Sequence, residues 1–591
     1  MKNLESSNNI TFEVEEIDLK KEDNTTNLLM LPELRDVEKE ILDPLIAPTS
    51  GLRIQLYEVE DSNGLKKYFL KKRTLYLFLR FFKAISKKFK EITHEEHPKI
   101  LIFTDDRPSN DILLEYSSQI FAYDGYQIIL QEDDFGKSRV SSPYGAASIA
   151  LYDDVDLVIV ITASHNELSW NGIKFYIEYP IPISGKIFKE ISAIALKLNE
   201  IKFKTDFSPI IRNVIQKNND YIIELLSKII EIKSLKEKDL IIWPYLGKAR
   251  GIVELFEKLG ANVHLIDDPI DPPNPIKIVR EEKLQEKMNN TNSNIALLLD
   301  ADRDRIALYV KENGKFSYYI PNEIYSAMHN ILARHYNKKV LNVRTIPSDL
   351  RADKSSFLNI LTGVGYKHLG IILYFLLDIE VEQSKVETGI LYMEEEDGTL
   401  TQIKTSSPLK ERIIKEMKKQ NLNDVNFIFV MWEESGGHTV TIINVNKDQT
   451  SGEYKFNTDL PVIADKYPVP ALVLITELFY RGHIISESID WSIKGINQTI
   501  EATDKEKVKI MKNFQAEDGK EIKIGDKKYH ITGLYNNKGK IKIYRLKSSD
   551  STLYFRPSGT GPSIRFYIFG DRDTYLEEIK KVKKYIKEEY I

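Results

Sequence analysis

Short apolar runs that break off into polar clusters recur along this chain, with amphipathic stretches between them. KILIFT (99–104) runs into DDRPSN. YQIILQ (126–131) follows a glycine, and DLVIVIT (156–162) stops on Ala163-Ser164-His165-Asn166. Each run has strand length, and segments such as TLYLFLRFFKAISKKFKEI (74–92) have the spacing of a helix with one apolar face, so the pattern predicts βαβ-type units. The cycle then restarts. DLIIWPYLG (239–247) reads as a strand, ARGIVELFEKLG as a helix and NVHLID as a further strand, while DDPIDPPNP (267–275) is too rich in proline for regular structure. NIALLL (294–299) runs straight into DADRDR, and KKVLNVRT (338–345) and FIFVMW (427–432) belong to a third block of the same kind. After the helical PALVLITELFYRGH the style changes. EIKIGDKKYHITGLYNNKGKIKIYRL (521–546) alternates like antiparallel strands, TLYFRP follows, and a charged helix, DTYLEEIKKVKKYIKEEY, comes last.

The reading is an α/β chain: three similar α/β blocks and a C-terminal α+β domain, repeated in pattern but not in sequence. Boundaries are placed at 1–40 for a polar leader, then 41–212, 213–321, 322–485 and 486–591. The leader is acidic and polar, lacks the apolar core of a signal peptide, and is expected to be a loosely ordered, solvated arm.

Composition narrows the function classes. A length of 591 residues demands several cores. With 83 basic and 88 acidic residues the net charge is −5, which leaves no basic footprint for nucleic acid. There is no cysteine, so disulfides and thiolate metal sites are excluded, and a reducing, cytoplasmic setting fits. No apolar run approaches the ~20 residues of a membrane span.

Six loops carry candidate chemistry. In DADRDR, Asp300, Asp302 and Asp304 alternate at a strand end, where their side chains can converge and suit a hard cation such as Mg²⁺. The ordinary alternative is a solvated acidic turn balanced by Arg303 and Arg305. In TASHN, Ser164 ends a buried strand, the place where α/β folds put ligands, and its hydroxyl is a possible phosphoryl acceptor; read alone, a helix cap or turn is the simpler explanation. RPSGTGPSIRFY offers Arg556, Ser558, Gly559, Thr560 and Arg565, glycine-flanked forked donors for phosphate, or else a hairpin turn. WEESGGH places Glu433, Ser435 and His438 around two glycines, which suits a hydroxyl-rich ligand, although a Gly-Gly turn with solvated acids is the ordinary explanation. PTSGLR (with Arg53) and TGVGYKH (with Lys367) read alone as plain turns.

The order of these loops resembles that of the α-D-phosphohexomutase superfamily, the phosphoglucomutases and phosphomannomutases, from about Pro44 to the C-terminus. TSGLR is similar to the family's N-terminal Gly-Thr-Ser-Gly-x-Arg element and DDRPSN to its Asp-x-Arg-x-Ser element. TASHN with the following NGIK resembles the phosphoserine loop, DADRDR the metal loop and GYKH the Gly-Phe-Lys segment. EES resembles the sugar-specificity loop and RPSGT the phosphate-binding loop. The resemblance implies domains arranged around a central cleft and a mutase that interconverts hexose 1-phosphate and hexose 6-phosphate. It implies Mg²⁺ as cofactor and glucose 1,6-bisphosphate as intermediate or activator. Ser164 would carry the phosphoryl group and add an oxygen to the metal set of Asp300, Asp302 and Asp304. His165 and Lys174 would be the proton-transfer candidates, and Arg53 and Arg305 would lie near the reacting end. Lys367, Glu433 and Ser435 would contact the sugar, while Arg556, Ser558, Gly559, Thr560 and Arg565 would hold the non-reacting phosphate. Partners would be small sugar phosphates, and the protein a monomer or homodimer.

Several residues depart from the family pattern. Trp432 stands where many members have glycine, Gly437 is an extra residue before His438, and Gly561 stands where many have glutamate. EES leans toward glucose, and the Gly-His pair toward mannose. Two other readings stay open: a haloacid-dehalogenase-like phosphatase with Asp300 as nucleophile and Asp302 as acid/base, and a non-catalytic relative that binds sugar phosphates.

Overall fold

The computed structural model describes residues 4–7, 10–44, 51–62, 65–133, 136–183, 185–382, 386, 389–395, 397–557 and 563–591. The chain divides into two compact units, Met1–Ile320 with Pro461–Tyr480, and Pro321–Leu460 with Arg481–Ile591.

The first unit contains two mixed sheets that follow one plan. In the six-stranded sheet, Lys99–Thr104 and Leu157–Ile161 lie parallel, and Leu157–Ile161 then pairs antiparallel with Trp170–Ile177. In the five-stranded sheet, Asp239–Trp243 and Ile295–Leu299 lie parallel, and Ile295–Leu299 pairs antiparallel with Ile306–Glu312. The seven-stranded sheet of the second unit repeats the plan: Val340–Thr345 and Asp424–Trp432 are parallel, and Asp424–Trp432 pairs antiparallel with His438–Lys447. In each sheet one largely buried apolar strand therefore reverses through a short polar turn. Those three turns are TASHNELS, DADRDR and EESGG. The pairing also explains the sequence pattern, because a strand covered on both faces reads as an unbroken apolar run. Leu157–Ile161 and Ile295–Leu299 are buried at every position. The second unit also holds an all-antiparallel six-stranded sheet that runs from Ile493–Glu501 through Ser563–Asp571 to Glu521–Ile524. The α/β class and the α+β tail are as the sequence indicated.

The polar leader is not a free arm. Ile10–Val14 pairs in parallel with Leu65–Leu70, and Thr26–Met30 pairs antiparallel with Glu200–Lys204. Phe12 stacks on Tyr68 at 4.9 Å between ring centroids, and Leu29 is buried. Two-residue alternation within ITFEV gives that strand one apolar face, and TNLLM ends in a short apolar run of which Leu29 is buried and Met30 exposed, signals hidden by the charged residues around them. The expectation of a loosely ordered leader is corrected on these residues.

The segment Pro461–Tyr480 returns to the first unit. Its helix, Val469–Tyr480, packs on Val214–Ile229. Tyr467 donates to Asn218 at 2.8 Å, and the buried Glu477 carboxylate accepts the backbone N–H groups of Lys233 and Ser234. Among the described residues no helix is long and apolar enough to cross a membrane.

Candidate active site

Strand Leu157–Ile161 delivers the TASHN turn. Thr162 Oγ1 accepts the N–H of Ser164 at 2.9 Å and itself donates to Asp105 at 2.6 Å. Ser164 is fully buried and holds a left-handed φ of 55°. Such a conformation costs an L-residue roughly 1–2 kcal/mol and persists only where surrounding contacts impose it. The main contact is Arg107, whose buried guanidinium donates to the carbonyls of Ser164, Asn166, Glu167 and Trp170 at 2.6–2.9 Å. From the other side, Asp271 of the proline-rich loop accepts the Leu168 N–H at 3.0 Å.

Strand Ile295–Leu299 delivers the acidic turn to the same place. Ser164 Oγ lies 3.4 Å from Asp300 Oδ2 and 3.4 Å from His165 Nδ1. Oxygen atoms of Asp300, Asp302 and Asp304 all fall within 4.8 Å of one another, and the three residues are buried. Lys174, on the antiparallel strand Trp170–Ile177, donates to Asp302 at 2.8 Å, to Asp304 at 3.3 Å and to Ser142 Oγ at 2.8 Å. Arg305 Nε is 3.7 Å from Asp300 and 3.6 Å from Asp304, and Lys466 Nζ is 3.6 Å from Asp304. Arg53 donates to Asn166 Oδ1 at 3.1 Å. It reaches there because Leu52–Gln55 pairs with Trp170–Ile177, an approach that a side chain at Gly51 would block: a Cβ there would sit 2.0 Å from the Ile173 carbonyl oxygen.

The electrostatics follow from packing charge into this space. Burial, then the charges of Asp302 and Asp304, push the Asp300 carboxyl well up. Burial and Asp304 also oppose ionisation of Asp302, but Lys174 and Arg53 outweigh them and hold it down. Burial works against the ionised Asp304 as well, yet Lys466, Lys174 and Arg305 keep it well below the usual carboxylate range. Burial, then Arg305 and Arg53, depress the His165 imidazole to about 3. Burial acts against the Lys174 ammonium, but Asp302 and Asp304 overcome it and raise its value.

The donor set fits a divalent cation. The buried atoms Asp302 Oδ1 and Asp304 Oδ1 have no hydrogen-bond partner among the described residues, while Lys174 occupies the opposite oxygens. Buried carboxylate oxygens that accept no hydrogen bond are costly, Arg305 Nε approaches only Asp304 Oδ1 of the two, at 3.6 Å, and three hard oxygen donors match Mg²⁺.

In the second unit, Glu433 is buried, and its carboxylate accepts the Ser435 hydroxyl. Trp432 is fully buried and donates its indole N–H to Asn342 at 2.8 Å, so it works as a core residue at the start of the turn. His438 is likewise turned into the core, with Nε2 3.0 Å from His329 Nε2. Lys367 opens the helix Lys367–Leu376. Arg556 and Arg565 are cross-strand partners, and Arg556 Nε donates to Tyr567 at 3.1 Å. Ser558, Gly559 and Thr560, like Thr49 and Ser50 of TSGLR, lie outside the described residues.

The first unit thus brings together Ser164, His165, Lys174, Arg53, Arg305 and the three aspartates. Sequence reasoning missed Ser142 and Lys466, whose positions far along the chain carried no signal. It quoted Arg107 and Arg303 within motifs without assigning them work.

Residues 60–202 match the family model for phosphoglucomutase/phosphomannomutase, alpha/beta/alpha domain I. The phosphoglucosamine mutase of Caldicellulosiruptor saccharolyticus is 30% identical over 227 residues, 37% of this chain and 48% of the relative. Residues 60–202 are thus similar to domain I of the phosphoglucomutases and phosphomannomutases, and the chain is similar to phosphohexomutases in sequence. A second phosphoglucosamine mutase, from Dictyoglomus turgidum, is 26% identical over 54% of this chain and 71% of its own length. Several of the matching phosphohexomutases are spanned over only about half their length, as with the 48% of the Caldicellulosiruptor protein. Among solved structures, the open form of the Paramecium phosphoglucomutase parafusin superposes with a TM-score of 0.58 at 15% identity, covering 95% of this chain and 96% of that one. A putative phosphomannomutase structure from Thermus thermophilus gives 0.54 at 15% identity, covering 91% and 98%. These two likenesses establish the phosphohexomutase fold.

Proposed function

We propose that the protein is a Mg²⁺-dependent phosphohexomutase that interconverts hexose 1-phosphate and hexose 6-phosphate through a phosphoserine at Ser164 and a 1,6-bisphosphate. The observation that carries this reading is the buried Ser164 hydroxyl, 3.4 Å from Asp300, beside two buried aspartate oxygens that accept no hydrogen bond among the described residues. A phosphatase built on Asp300 would leave that strained, clamped serine without a role.

In the first half-reaction a sugar hydroxyl oxygen bonds to the phosphorus on Ser164 and the P–Oγ bond breaks. The hydroxyl proton leaves to a base, one proton is delivered to the departing Ser164 Oγ, and the 1,6-bisphosphate and free serine result. The bisphosphate then turns over, and its other phosphoryl group returns to Ser164 Oγ as the reverse steps run. Such transfer depends on positioning and charge neutralisation. Bound Mg²⁺, held by Asp300, Asp302, Asp304 and a phosphoserine oxygen, would supply neutralisation at the transferring group. Arg53 and Arg305 add fixed positive charge there. His165, beside Ser164 Oγ, and Lys174 are the candidates to carry the proton. Lys367, Glu433 and Ser435 are assigned to the sugar, and Arg556, Ser558, Gly559, Thr560 and Arg565 to the phosphate that is not reacting. Glucose phosphates are the first candidates and mannose phosphates the second. The relatives named phosphoglucosamine mutases support adding glucosamine phosphates to the panel.

Intact-mass spectrometry with peptide mapping tests the proposal. One acid-stable phosphate on Ser164 is expected after incubation with glucose 1,6-bisphosphate, with Ser164→Ala losing both the phosphate and nearly all turnover. An alkali-labile acyl phosphate on Asp300 would instead support the phosphatase. Absence of conversion of every hexose phosphate tried, with Mg²⁺ and bisphosphate present, would refute the mutase assignment.

A further inference from the structure

Two consecutive aspartates at the end of strand Lys99–Thr104 each anchor a buried arginine, and the two arginines brace different loops of the site. Arg107 uses all five of its side-chain donors: Nε reaches Asp105 at 3.3 Å, and the other four bond the carbonyls of Ser164, Asn166, Glu167 and Trp170. Asp105 also accepts the Thr162 hydroxyl, the group that receives the Ser164 N–H. Arg303, inside the acidic turn, pairs with Asp106 and donates to the Ala301 carbonyl and, at 2.8 Å, to the Leu246 carbonyl. Arg303 and Ser164 share a left-handed backbone, φ 63° and 55°, which L-residues avoid unless held. Asp106 sits so close to the backbone at Gly247 (φ +68°) that a Cβ there would lie 2.0 Å from its Cγ.

We propose that Asp105 and Asp106 form a positioning pair that sets the register between the phosphoserine loop and the metal loop. Successive side chains leaving a strand point to opposite sides, so one dipeptide reaches both loops. Asp105 fixes the Ser164 turn through Arg107 and Thr162. Asp106 fixes the Asp300–Asp304 turn through Arg303. Neither aspartate touches the reacting atoms, and their effect passes through the arginines to the spacing between Ser164 Oγ and the carboxylates. The consequence for turnover rests on the phosphomutase reading, whereas the consequence for cation binding does not.

Asp106→Asn tests this: it keeps the shape against Gly247, and the residue is half-buried, so folding is retained. Replacing a charge-assisted bond by a neutral one at Arg303 should weaken Mn²⁺ binding, measured by electron paramagnetic resonance on the sugar-free protein, about tenfold. It should also lower kcat by about 10–100-fold with little change in KM, because the loss lies in alignment. Arg303→Lys should show the same two effects, and the double variant should be no worse than either single one. Unchanged Mn²⁺ affinity in Asp106→Asn, or additive effects in the double variant, would overturn the proposal. If the wild type converts no sugar phosphate, the Mn²⁺ titrations still decide the positioning claim separately from the mutase reading.

Discussion

Ser164 and Glu434 show how single side chains are tuned by burial beside charge. Ser164 is held in a left-handed turn by carbonyl contacts that also bury it, so its hydroxyl has few orientations to choose from. Glu434, the middle residue of the EES turn, is half-buried. Burial and then the Glu433 carboxylate push its carboxyl up to about 7, despite the Thr345 hydroxyl bond at 3.2 Å and the pull of Arg556. The sign follows from proton counting. Between the ordinary carboxylate value of 4.5 and about 7 the folded protein keeps a proton that the unfolded chain has released, so stability falls as pH rises through that window. Glu434→Gln cannot ionise and should escape this loss. Thermal melts should show the variant gaining on the wild type between pH 5 and pH 8, by about 1–2 kcal/mol once partial exposure is allowed for. An equal pH slope in the two proteins would show that Glu434 ionises as freely when folded as when unfolded.

Among the elements, the strands of the supposed leader carry the least expected weight. Ile10–Val14 lies beside Leu65–Leu70, and Phe12 packs on both Tyr57 (5.5 Å) and Tyr68 (4.9 Å). Phe12→Ala should therefore behave as a core truncation and cost about 3–5 kcal/mol. Urea unfolding would measure it, and a loss below ~1 kcal/mol would return the leader to the status of a loose arm. The three reversing strands make a second point. Apolar runs ending in TASHN, DADRDR and EES were legible because a strand buried on both faces leaves an unbroken apolar signature. That all three are the same turn of the same sheet plan was not, since strand pairing partners lie dozens of residues away and the sequences share no repeat.

At the scale of the whole molecule, the return of Pro461–Tyr480 to the first unit is the main departure from a chain read as successive blocks. Its Tyr467, Glu477 and Tyr480 bond to Asn218, to the Lys233 and Ser234 N–H groups, and to the Asp239 carbonyl, while Lys466 stands beside Asp304. A fragment of residues 1–320 should therefore melt lower than the same fragment with residues 461–480 fused by a flexible linker, and should bind Mn²⁺ more weakly. Calorimetry and Mn²⁺ titration check the two parts, and equal melting temperatures would show that the segment is dispensable to that fold. The candidate groups were legible without tertiary structure: the order of the loops, through its resemblance to a known family, singled out Ser164, Lys174, Arg53, Arg305 and the three aspartates as candidates. Their mutual distances, the arginine clamps beneath them, the arrival of Lys466 and the burial of Trp432 and His438 were decided only on folding. Each depends on pairing and packing between segments remote in the chain, and no local pattern of apolar and polar residues encodes such contacts.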